Sequence, residues 1–132
     1  MPTLGAATVA RAINAQGQVA GWSGGTQGNQ AFIYGAGGLS RIPPLMPGQS
    51  YGTGINESGQ VVGESFVGVA SDGSHNIVHA FLWSAGVLTD LGTLPGGDTS
   101  SAQAINDTGQ IAGSATTRAG NQDIHAFLYS AG

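Results

Sequence analysis

Apolar side chains alternate with small or polar ones in short runs, and Gly, Asn or Pro closes almost every run. In "AFIY" (31–34), "AFLW" (80–83) and "AFLY" (126–129) the period is two, so successive side chains of an extended strand point to opposite faces. Phe32 then shares a face with Tyr34, Phe81 with Trp83, and Phe127 with Tyr129. "QVAGW" (18–22), "QVVGE" (60–64) and "QIAGS" (110–114) read as a second set of strands. Each follows a version of one phrase: "INAQGQ" (13–18), "INESGQ" (55–60) or "INDTGQ" (105–110). Asn at the first place of a reverse turn bonds a backbone N–H two residues on, and Gly at the fourth place takes a positive φ without a Cβ clash. Asn14, Gly17, Asn56, Gly59, Asn106 and Gly109 are therefore expected to be structural turn residues, each pair closing a hairpin.

These pieces belong to one unit, written three times. After the phrase and its strand come a variable stretch, then [HQ]-A-F-[IL]-[YW], a small turn and a fourth run. That fourth run is "LSRIPPL" (39–45) or "VLTDLGTL" (87–94). Pro43 and Pro44 cannot donate to a ladder, so this strand is expected at an edge or to end early. The phrases start at Ile13, Ile55 and Ile105, 42 and 50 residues apart. Four short strands in such a period is the arithmetic of a β-propeller blade, and stacked blades bury the faces a lone blade exposes. The expectation is an all-β chain of three four-stranded antiparallel repeats, approximately 1–45, 46–94 and 95–132, the last lacking its own fourth strand. A β-solenoid is the alternative. The sheet edge left bare is a template for pairing, so another copy of the chain, or additional repeats of a longer chain, is expected to cap it.

Composition agrees with a folded, turn-rich chain. Hydrophobic residues make up 40%, Gly numbers 24 and charged residues only 8%, against roughly 25% in an average soluble domain. Arg11, Arg41 and Arg118 are the cations, there is no Lys, and the net charge is −4. Nucleic acid is not an expected partner, because phosphate binding needs several cations. Cysteine is absent, which removes disulfides, thiol catalysis and Cys-zinc sites. No apolar run approaches the ~18 residues of a membrane span, so membrane insertion is not expected. No signal peptide is visible at the N-terminus.

"AINDTGQIAGSA", "HAFLWSAG" and "LTDLGTLPGG" resemble the bacterial tandem repeat known as the HAF repeat. His79-Ala80-Phe81 and His125-Ala126-Phe127 carry the motif of its name, and Gln30-Ala31-Phe32 departs by one residue. The first unit is the least similar, with "RIPPL" where "DLGTL" stands in the second. The resemblance covers nearly the whole chain. It implies repeat architecture and an extracellular or cell-surface place, and no particular chemistry.

Length varies in the stretches between second and third strands, 23–29, 65–78 and 115–124, and by one residue in the connections between repeats, 46–54 and 95–104. Both are expected at one end of the strands. Loops on a rigid scaffold carry most binding residues, so Trp22, Glu64, Asp72, His75, Asp98, Arg118 and Asp123 are the ligand-binding candidates. His79 and His125 hold the place of Gln30 and are expected to be structural. Asp90, in the repeat position of Arg41, is expected to pair with a neighbouring repeat. No catalytic set, metal site or cofactor motif is recognisable. The function expected is a non-catalytic module for binding or scaffolding, with multivalent glycan capture through the strand 2–3 loops. A purely structural self-assembling surface repeat and a hydrolase using loop carboxylates such as Glu64 and Asp72 are the alternatives.

Overall fold

The computed structural model of the protein describes residues 7–25, 28–118 and 123–130. Gly132, which aligns with Gly86 of the second unit, and Thr3–Gly5, which align with Thr93–Pro95, lie outside them. The described residues form eleven strands in three antiparallel sheets. The first holds β1 (Thr8–Ile13), β2 (Val19–Gly25), β3 (Gly28–Gly35) and β4 (Gly38–Arg41). The second holds β5 (Ser50–Ile55), β6 (Val61–Val69), β7 (Asn76–Ser84) and β8 (Val87–Asp90). The third holds β9 (Ser100–Ile105), β10 (Ile111–Thr116) and β11 (Ile124–Tyr129). Every strand pairs with its chain neighbour, unlike the parallel coils of a solenoid.

Each turn phrase builds the same hairpin. The Asn14, Asn56 and Asn106 side-chain oxygens accept from the N–H two residues on, at 3.1 Å each. Gly17, Gly59 and Gly109 hold φ of 78°, 78° and 84° and donate back to the Asn carbonyl. The first strand of each sheet carries a bulge at one repeat position, at Arg11, Thr53 and Gln103. Its kinked carbonyl presses on the second strand. A Cβ at Gly21, Gly63 or Gly113 would lie 1.9, 1.8 or 2.2 Å from a first-strand carbonyl oxygen. That is why the second strand reads Val/Ile-x-Gly in every copy.

The fourth strand of the first sheet ends early at a sheet edge, as its prolines led one to expect, while the early end of that in the second sheet and the 65–78 stretch differ from expectation. The fourth strands stop at Arg41 and Asp90. Two prolines follow the first of these by two residues, and at the second the Gly92 N–H turns back to the Asp90 carboxylate at 2.8 Å. The stretch 65–78, expected as a long loop, is largely strand, since β6 and β7 run on as a hairpin closed by residues 70–75.

The sheets stack face to face. Ala20, Ala31 and Ile33 of the first pack against Ile55, Val61 and Phe81 of the second, and Trp83 closes the side. Val62, Ala80 and Leu82 of the second pack against Ala102, Ile111, Phe127 and Tyr129 of the third. We call the side of a sheet that meets the following repeat its forward face and the opposite side its rear face. Three kinds of bond recur at both joints. Asn14 Nδ2 donates to Asn56 O at 2.9 Å, and Asn56 Nδ2 to Asn106 O at 3.0 Å. Ala15 N–H donates to the Glu57 carboxylate, and Glu57 N–H to Asp107 Oδ1. Ala31 N–H donates to Ser50 Oγ, and Ala80 N–H to Ser100 Oγ. In all of them the earlier repeat donates and the later one accepts.

Candidate functional site

Trp22, Glu64 and Ser114 occupy the same place in their sheets, opposite Val9, Tyr51 and Ser101. At the first joint that place is filled. Trp22 meets Tyr51 edge to face, centroids 5.1 Å apart at 80°, and the Arg11 guanidinium lies 5.5 Å above the indole. On the forward face of the second sheet the place holds Glu64 instead. A groove of about 540 Å³ opens there, lined by Gln49, Tyr51, Glu64, Phe66, Asn76 and Val78, with Gly48. Tyr51 accepts from Asn29 Nδ2 at 3.3 Å and donates to Gln49 Oε1, so its hydroxyl is fixed as both acceptor and donor. Glu64 is the one acid among the described lining residues.

None of the other candidates lines that groove. Asp72 caps the tip of the β6–β7 hairpin, accepting from Ser74 N–H at 3.0 Å. The Ser74 side chain and then its N–H hold the Asp72 carboxyl below the usual carboxylate range. His75 Nδ1 meets Ser74 Oγ at 2.8 Å, and its Nε2 meets Asp98 Oδ2 at 2.9 Å. Serine, histidine and aspartate are thus joined in a chain, but Gly73 and Ser74 spend their N–H groups inside the turn. An acyl-transfer site needs such groups aimed at the developing oxyanion. The bonds instead tie the hairpin tip to the connection leading into the third repeat. Arg118 and Asp123 form an exposed pair at 3.5 Å on the third repeat, a geometry worth at most about 1 kcal/mol.

The expected inter-repeat partner of Asp90 is corrected. Asp90 bonds His79 Nδ1 at 3.0 Å in its own sheet, as Arg41 bonds Gln30 Oε1 at 2.7 Å in the first. The third and fourth strands carry these residues side by side, so the pair forms across one ladder. His125 is exposed.

A second groove of equal size lies at the opposite end, where the turn phrases gather. Gln18, Gln60, Ser40, Ser84 and Trp83 line it, with the small residues 35–38. Sequence reasoning placed no site there, because it followed length variation. The available signal was the Ala-Gly turns, whose missing side chains leave room beside the indole.

Among the described residues no group of three or more His, Asp and Glu could hold a metal ion, and no helix is long and apolar enough to cross a membrane. Comparison with protein-family models, with curated proteins and with solved structures finds no match to the chain.

Proposed function

We propose that the chain is a non-catalytic binding module of the cell surface or extracellular space, whose groove beside Tyr51 takes a neutral, hydroxyl-rich polymer such as a glycan. The groove itself is the observation that carries the reading. The Tyr51 and Phe66 rings offer flat apolar faces to a sugar ring, the Glu64 carboxylate accepts from hydroxyls, and the Gln49 and Asn76 amides both donate and accept. Its size suits one or two sugar rings. The Trp22 indole, packed edge to face on Tyr51 outside the groove, braces that ring. The place outside the cell rests on the resemblance to HAF repeats. Reading the sheets as propeller blades is supported by their antiparallel order, their period and their face-to-face stacking. Hydrolysis of a glycoside needs two carboxylates across the substrate, and Glu64 has no acidic counterpart among the described lining residues.

A glycan array probed with the full chain tests this. A positive family of glycans, with binding weakened about tenfold by Glu64→Gln and more by Tyr51→Ala, is expected. An array without signal, or a Glu64→Gln variant that binds as well as the parent, overturns it.

A further inference from the structure

The forward face of the third sheet is built like those of the first two but is uncovered. Ala112, Ala126 and Leu128 occupy the places of Ala20, Ala31 and Ile33. Those three are buried between the first and second sheets, whereas Leu128 is 67% exposed and Ile124, on the same face, 62%. The hydrogen-bond donors are also set out. Asn106 Nδ2 bonds Gln110 Oε1, as in the other phrases, but meets no following carbonyl among the described residues. Asp107 N–H likewise meets no following carboxylate there. The rear face of the first sheet is the complement. Ile13 is 69% exposed, although its equivalent Ile55 is buried at the first joint. Asn14 O accepts from Gly17 N–H, as Asn56 O does from Gly59 while also taking the preceding amide.

We propose that the forward face of the third repeat seats the first repeat of a second copy of this chain, head to tail. The interface continues one the molecule already makes twice. Leu128 joins the partner's Ile13 in one apolar cluster, as Ile33 and Ile55 are joined at the first internal joint. Asn106 Nδ2 donates to the partner's Asn14 carbonyl. The seat lies at the turn-phrase end of the face, because Phe32, farther along the rear of the first sheet, is already fully buried. One bond of the internal joints is missing. Where Glu57 and Asp107 supply a carboxylate, the first phrase has Ala15. The joint between copies is therefore weaker than those within the chain. A heterologous contact of this kind closes a ring or runs on, and two copies closing on each other bring six sheets together.

Sedimentation of the full chain tests the proposal. Self-association below about 100 µM is expected. Ala15→Asp restores the absent carboxylate and tightens it about three- to tenfold. Leu128→Asp and Ile13→Asp, both at exposed positions, each leave a folded monomer, with circular dichroism as the check on folding. Mixed together, those two variants form a dimer, since each retains the face the other has lost. A chain monomeric at about 100 µM, an Ala15→Asp variant with unchanged association, or a mixture that stays monomeric overturns it. So does a dimer lost with Leu128→Asp but kept with Ile13→Asp, which would be a tail-to-tail contact.

Discussion

At the residue scale, one asparagine does two tasks with the two ends of one amide. Its oxygen holds its own turn and its nitrogen holds the next repeat. Asn56 performs both tasks, whereas the Asn106 nitrogen bonds only Gln110 of its own turn among the described residues. Asn56→Ala is expected to cost about 2–3 kcal/mol, and Asn106→Ala about 1 kcal/mol less, in urea unfolding. Equal losses would deny the amide its part in the joint. The turn role was legible in the sequence, because Asn-x-x-Gly has a local mechanism. The joint role was not, since its acceptor lies 42 or 50 residues on. Asp72 gives a pH-dependent counterpart. Its folded carboxyl is depressed, chiefly by the Ser74 side chain. The small stability it lends is present above the ordinary carboxylate range and is lost as pH falls through the lowered value. A carboxyl carbon titration should place Asp72 below a free aspartate, and Ser74→Ala should move it back toward one.

At the element scale, the bulge governs what the second strand can carry. Gly63→Ala drives a methyl into the Tyr51 carbonyl and is expected to cost about 3 kcal/mol or more. Gly73→Ala, at the hairpin tip, meets nothing within 4 Å and is expected to cost about 1 kcal/mol from its positive φ alone. Thermal unfolding of the pair separates crowding from backbone preference. The sequence showed that strands pair in hairpins, but not where a first strand kinks. Arg11, Thr53 and Gln103 share no chemistry: Arg11 lies over the Trp22 indole, Thr53 donates to Ala102 O in the next repeat at 2.7 Å, and Gln103 donates to Ser101 Oγ. The extension of β6 and β7 was hidden for a related reason. "SFVGVASDGSHNIV" contains turn residues throughout, and only pairing between its halves makes most of it strand.

At the scale of the molecule, stability passes along the stack through neighbours, as in other repeat proteins. The middle sheet has a neighbour on both faces, while the third has one among the described residues. Amide exchange should be slowest in β6 and β7 and fastest in β10 and β11. Phe81→Ala, which opens the first joint, should cost about 3–5 kcal/mol. Uniform protection across the three sheets would contradict the neighbour picture. The face-to-face stacking was legible from the aromatic alternation, whereas the groove at Glu64 was not, since it depends on a tryptophan position in one repeat becoming an acid in the next. The shared bulge and glycine have a last consequence. Each first strand carries the bulge that every second-strand glycine admits, so the backbone of one is able to pair in another's place. Concentrated refolding should therefore yield strand-exchanged species that are compact, kinetically trapped and absent when the protein is diluted before it folds.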